Sequence, residues 1–155
     1  MKLNLRMLML AAVLGVSLVL TACGGGGGSA APTAASGGSG GGVTIDIASA
    51  GENLAFDKTT LTVAAGQSVT INFKNNSAAQ QHNWVLVNGG EDVASQVANA
   101  GLTAGLENAY LPPDRANVIA ATEVLNGGQS GSVTFTAPAA GTYLFICTVP
   151  GHYPL

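Results

Sequence analysis

Apolar and polar positions alternate with a period of two through most of the chain after position 42. Val43, Ile45 and Ile47 alternate with polar neighbours; so do Leu61 and Val63, then Val69, Ile71 and Phe73, and later Val133 and Phe135. Such a period places apolar side chains on one face of a strand and polar ones on the other. Residues 84–87 and 143–147 are apolar on both faces, which predicts central strands. Turn-forming clusters at 64–66, 88–90 and 126–128 punctuate the pattern. The prediction is an all-β fold, an antiparallel Greek-key β-sandwich.

One interval has a different period. Residues 91–100 are rich in alanine, open with Glu91 and Asp92, place Val93 and Val97 four apart, and meet Gly101. This predicts a short helix with acids at its N-terminal end and a glycine stop. Residues 102–117, which carry Pro112-Pro113, read as irregular chain. The plan is therefore a sandwich with a short helical insertion after its fourth strand.

The first 42 residues show neither period. Lys2 and Arg6 precede an apolar run at 7–20 that ends in Leu20-Thr21-Ala22-Cys23. A short apolar run behind basic residues predicts an export signal. The small residues before Cys23 resemble a bacterial lipobox, so residues 1–22 are expected to be a lipoprotein signal peptide and Cys23 the lipid-attachment site. Residues 24–42 are almost entirely Gly, Ser, Ala and Thr. They cannot bury apolar area and predict a flexible tether about 24 Å from end to end.

Charge removes one class of function. From position 43 the basic residues are Lys58, Lys74 and Arg115, against eight acidic ones, a net charge of −5. That sign, without any basic cluster, excludes nucleic-acid binding.

The remaining chemistry lies in three residues. With Cys23 assigned to lipid, Cys147 is the one thiol left, and it has no disulfide partner. His82 heads the run HNWVLV, Cys147 ends YLFIC, and His152 follows across a four-residue loop. Singly, a strand-end histidine is usually just hydrogen-bonded and a lone buried cysteine is a small hydrophobe. Together, two imidazoles and a thiolate suit a trigonal copper electron-transfer site, and the same set can also hold zinc.

HNWVLV at 82–87 and CTVPGH at 147–152 resemble the ligand motifs of the cupredoxin, or type 1 blue copper, family, which includes azurin and plastocyanin. The resemblance runs from about 43 to 155 and includes QHNWVLVNGGEDV, LPPD and GQSGSVTFTAPAAGTYLFICT; within the family it is strongest toward the auracyanin group. It implies one copper ion held by His82, Cys147 and His152. It also implies that Asn83 ties the two ligand segments together and that the Gln81 carbonyl is a distant axial contact. The amides of Thr148 and Val149 are expected to donate to the sulfur. His152, with Val149, Pro150, Tyr153 and Pro154 around it, would be the electron port.

The implied role is a non-enzymatic, monomeric one-electron carrier cycling Cu(II)/Cu(I). Its donor would be a membrane quinol-oxidising complex, and its acceptor a reaction-centre cytochrome or a respiratory protein. It would be exported and lipid-anchored on the outer face of the cytoplasmic membrane. A copper-delivery lipoprotein is the alternative. An oxidase would need more histidines than this domain has.

The family places an axial methionine at what would be position 156 or 157, followed by a final strand, whereas the sequence stops at Leu155 and Met1, Met7 and Met9 all lie in the leader. The resemblance thus implies a domain truncated at its C-terminus, with a perturbed site and one sheet edge left unpaired.

Overall fold

The computed structural model describes residues 2–4 and 41–153. The expected signal peptide and tether, apart from residues 2–4 and 41–42, lie outside the described residues, as do Cys23 and Pro154. Among the described residues no helix is long and apolar enough to cross a membrane.

Among the described residues, eight strands form two sheets. β1 (Lys2–Asn4), β3 (Thr60–Leu61), β5 (Val85–Val87), β6 (Val118–Ala121) and β8 (Thr142–Ile146) make one, in the order β3-β1-β8-β5-β6. β2 (Val43–Ala48), β4 (Ser68–Lys74) and β7 (Ser130–Thr136) make the other, in the order β2-β4-β7. The alternating strands behave as their pattern predicts. Val69, Ile71 and Phe73 on β4 are buried while Ser68, Asn72 and Lys74 are exposed. Register places Ile71 between Ile45 and Val133, so one apolar face spans all three strands. Pairing departs from the antiparallel expectation, because β2 runs parallel to β4 and β1 parallel to β3.

Between the sheets, Phe56 meets Phe73 and Phe145 at ring separations of 5.6 and 5.5 Å, and Trp84 stacks on Phe135 and Phe145. Burying each such ring stabilises the fold by about 1.5–3 kcal/mol. The two doubly apolar stretches are explained by a second core. Trp84, Leu86, Phe145 and Cys147 face the sandwich interior. Val85, Val87, Leu144 and Ile146 face the other way and pack on Ala94 and Val97 of the helix. A helix, not a third sheet, covers that side.

That helix, α1, spans Glu91–Ala104, one turn longer than expected, with Glu91 and Asp92 in its first turn. Gly101 does not stop it. A Cβ there would lie 2.0 Å from the carbonyl oxygen of Tyr110, so Gly101 lets the returning chain press against the helix. The stop comes at Gly105, in the left-handed range at φ 75°, where its N–H donates to the Gly101 carbonyl. Residues 102–117 are correspondingly less irregular than expected: α1 continues to Ala104 and a 3-10 turn follows at Leu106–Asn108.

The expected open sheet edge is absent along β8. The backbone of Lys2–Asn4 pairs antiparallel with Thr142, Tyr143 and Leu144, and Lys2 and Leu3 pair parallel with Thr60 and Leu61. These residues belong to the expected leader, so cleavage before Cys23 would leave this edge of β8 open.

Candidate metal centre

His82 precedes β5 instead of starting it, and its backbone forms a two-way bridge with Leu125, N–H to carbonyl in each direction at 3.0 and 2.8 Å. The loop leading to it is pinned from inside. Asn75 is fully buried; its amide donates to the carbonyls of Gln80 and Leu125, and its oxygen accepts from Ser49 Oγ and the Ser77 N–H. Glu52, brought in from the 50–54 loop, accepts from Ser77 Oγ at 2.8 Å and from the Ala78 N–H. These donors and the nearby His82 hold its carboxyl below the usual range. The Gln81 side chain donates to Asn126 Oδ1.

Cys147 follows β8 directly. From there, Val149, Pro150, Gly151 and His152 form a tight turn, closed by the His152 N–H donating to the Val149 carbonyl at 3.0 Å. Gly151 has φ 82°, so the Pro-Gly pair has the residues a type II turn requires at its two central positions. The turn folds the imidazole back over the thiol.

The three side chains converge. His152 Nδ1 lies 3.4 Å from Cys147 Sγ and 3.3 Å from His82 Nδ1, and one donor atom from each residue falls within 4.8 Å of the others. Two nitrogens each about 2.0–2.1 Å from a shared ion lie about 3.3–3.5 Å apart. The donor set and its spacing fit a single metal ion. His82 and Cys147 are buried and His152 is half-buried, so one ligand alone approaches the surface. A cavity of about 120 Å³ adjoins them, with Leu54, Phe56, Phe145 and Tyr153 in its wall.

Electrostatics favour a neutral donor set. Burial, with a smaller contribution from neighbouring His152, pushes His82 down to about 4, against a weak opposing pull from Glu52. Burial also lowers His152. The Cys147 thiol is pushed up to about 11 by burial, partly offset by the N–H groups of Asn83 and Val149. At neutral pH the imidazoles are free to ligate, and a metal cation displaces the thiol proton.

Asn83, fully buried, lies between the two ligand segments. Its amide donates to Thr148 Oγ1 at 2.8 Å and to the Ala109 carbonyl at 3.2 Å, and its oxygen accepts the Thr148 N–H at 2.8 Å. The Thr148 amide is therefore taken by Asn83 and is not a donor to the sulfur; Asn83 N–H stands in that place beside Val149 N–H. Val149 is buried and does not join Pro150 and Tyr153 at the surface. Sequence reasoning missed Glu52 and Asn75. Glu52 sits about 30 residues from His82 in an ordinary loop, and nothing local marks it. Asn75 lies in a run of polar residues before His82, and nothing local marks it either.

A family model described as copper binding proteins, plastocyanin/azurin family, matches residues 43–155. The chain belongs to this family. It is a blue copper protein and an electron carrier, and copper is its cofactor. It is similar to auracyanin-A of Chloroflexus aurantiacus, 64% identical over all of this chain and 95% of that one. It is 50% identical to auracyanin-B of the same organism over 71% of this chain, spanning about half (47%) of that protein's length. Among solved structures, auracyanin A of Chloroflexus aurantiacus superimposes with a TM-score of 0.73 at 68% identity, covering 74% of this chain and 94% of that one. Dithionite-reduced auracyanin from Roseiflexus castenholzii gives 0.69 at 57%, covering 74% and 90%. These likenesses extend to the cupredoxin sandwich and its helix, and they decide for copper where the donor set alone also allowed zinc.

Proposed function

We propose that this chain is a membrane-tethered one-electron shuttle in which His82, Cys147 and His152 hold the copper. Its donor is a membrane quinol-oxidising complex, and its acceptor a reaction-centre cytochrome or a respiratory protein. The carrying observation is the unequal burial of the three donors: His82 and Cys147 are sealed in, and His152 reaches the surface. Bound copper supplies the Cu(II)/Cu(I) couple.

The residues supply the rest. The thiolate favours the cuprous state and the imidazoles suit both states. Asn83 clamps the two ligand segments, so the donors shift little when the charge changes. Asn83 and Val149 N–H groups beside the sulfur would tune the potential of a bound ion, and the Gln81 carbonyl would serve as a weak further donor. His152, with Pro150 and Tyr153, forms the port. Two buried donors speak for a resident ion and against a copper-delivery role, which needs ligands open to exchange. The basic, apolar and small-residue order before Cys23 supports export and lipid anchoring on the outer face of the membrane, with residues 24–42 as tether.

Copper titration of the purified chain, followed by absorption and voltammetry, tests the reading. A visible thiolate-to-copper band, altered from the family's intense blue one as the expected perturbed site implies, and a reversible couple are expected, both lost in Cys147→Ser. Retention of both in that variant would overturn the ligand assignment.

A further inference from the structure

The order β3-β1-β8-β5-β6 leaves β6 at one end of its sheet. Ala120 is registered with Leu86, and the Thr122 N–H donates to the Trp84 carbonyl at 2.9 Å, so Ala120 and Thr122 turn their polar backbone groups towards β5. Antiparallel ladders alternate, so the N–H and C=O groups of Ile119 and Ala121 point away from the sheet. Beside them runs an open groove of about 430 Å³, walled by Leu111, Arg115, Ile119 and Glu123 among others.

The other end strands carry guards that β6 lacks. β3 has two residues, β2 carries Thr44 and Asp46, and β7 presents Ser130, Ser132, Thr134 and Thr136. Short length and polar or charged side chains are the usual protection of an edge. β6, with the sequence VIAA, has no polar side chain. Just before it, Arg115 and Asn117 hold left-handed φ of 57° and 60°. The Arg115 N–H donates to the Pro112 carbonyl and the Val118 N–H to the Arg115 carbonyl, so the chain reaches β6 through two successive turns. Non-glycine backbone in that region is strained, and here the strain stands at the mouth of an open edge.

The ends of the groove carry opposite charge. Arg115 precedes β6 and Glu123 follows it; both are exposed, and neither forms an ion pair among the described residues. No lysine or arginine follows Lys74 except Arg115. An edge with a cation at one end and an anion at the other is complementary to itself when a second copy runs antiparallel.

We propose that β6 is a homodimer interface, at which two copies pair antiparallel, edge to edge, about a twofold axis at Ala120. Ile119 of each copy exchanges backbone hydrogen bonds with Ala121 of the other, and the small side chains of Ala120 and Ala121 let the strands approach. Glu123 falls opposite Asn117 of the second copy, within reach of the Arg115 side chain that the turn brings beside it. The two five-stranded sheets become continuous. A strand of four residues makes a small interface, so the dimer is weak and depends on concentration. The net charge of −5 from position 43 opposes it at low ionic strength; salt near about 0.15 M screens that long-range repulsion more than the close Arg115–Glu123 pairs. No residue of the Pro150–His152 turn lines this groove, so each copy keeps its proposed electron port open. The pairing needs no copper chemistry, and its failure and that of the carrier reading are separate results. The monomer expected from the resemblance and this dimer differ in one measurable quantity, the mass in solution.

The test is sedimentation of the copper-loaded chain at about 0.15 M salt, from about 1 to about 300 μM. The mean mass is expected to rise towards twice that of one chain across this range. Ala121→Pro removes an outward N–H and leaves the bonds to β5 in place. It is expected to abolish the rise, with the far-UV spectrum and thermal midpoint near those of the parent. Glu123→Arg sets like charges against each other and is expected to raise the dissociation constant about tenfold. Adding Arg115→Glu reverses both signs and is expected to restore the dimer, a rescue that a role within one chain would not produce. A monomer mass at every concentration overturns the proposal. So does a dimer that survives Ala121→Pro and Glu123→Arg unchanged, which would place the interface on another edge, such as that of β8. Slow amide exchange at Ile119 and Ala121 in a chain that stays monomeric would give the groove to a segment of the same chain and overturn the second copy.

Discussion

The two segments that deliver the histidines are held in opposite ways. Residues 75–82 are fastened from within: Asn75 is fully buried and makes four hydrogen bonds, Glu52 grips Ser77 and Ala78 from another loop, and His82 bridges Leu125 through its backbone. Residues 147–153 are held at two points, by Asn83 inside and by the Tyr153–Glu91 contact at the surface. The first arrangement gives a fixed wall. The second gives a turn that is anchored at its buried end and open at the other, as the proposed role of His152 as ligand and electron port requires.

The sharpest way to break this contrast is at Asn75. Asn75→Ala should destabilise the domain by about 3 kcal/mol, because it strands several buried groups at once. Urea unfolding would show this, and a loss below about 1 kcal/mol would mean that the inner network is dispensable. The next effect is on pH. The copper-free domain holds His82 neutral with a depressed pKa, so the unfolded chain takes up the proton first on acidification. Stability should therefore fall as pH drops from about 6.5 towards about 4. Cys147 works at the other end: its raised pKa means that the unfolded chain loses the proton first, and stability should fall between about 9 and about 11. Replacing His82 by Gln should flatten the acid limb in thermal melts, and an unchanged limb would sink the assignment.

The outer segment should respond more mildly. Asn83→Leu removes the inner clamp and is expected to cost about 2 kcal/mol, with faster amide exchange concentrated in residues 147–152. Gly151→Ala places a side chain at φ 82° and should cost about 1 kcal/mol while slowing closure of the ligand turn over copper, measured by metal uptake. Tyr153→Phe should cost less than about 1 kcal/mol, since its hydroxyl contact is exposed, and should raise exchange only at 150–153. A large loss of stability from that change would show that the surface contact carries structural weight the geometry does not suggest.

Much of this was legible in the chain, for reasons that differ from element to element. The face of β4 is visible because a half-buried strand in a two-layer fold must alternate. β5 and β8 are visible as buried but not as facing a helix, since a doubly apolar run looks the same whatever covers it. Gly101 misled because a glycine that ends a helix and one that admits a neighbouring backbone are the same letter. β6 escaped notice because Val118–Ala121 has no alternation and follows chain with Arg115 and Asn117 at positive φ. The parallel pairing of β2 with β4, and the placing of Lys2–Asn4 beside β8, depend on partners distant in sequence and have no local signature.

The sequence by itself determined the donor set, its placement at strand ends, the turn that brings His152 over Cys147, and the sandwich that carries them. Those features follow from side-chain chemistry and from periods spanning a few residues. Only the tertiary structure decided which amides face the sulfur, that Glu52 and Asn75 hold the first histidine's loop, and that α1 lies beside the exposed ligand. Each of these is a contact between residues far apart in the chain, and only packing of the whole domain selects it.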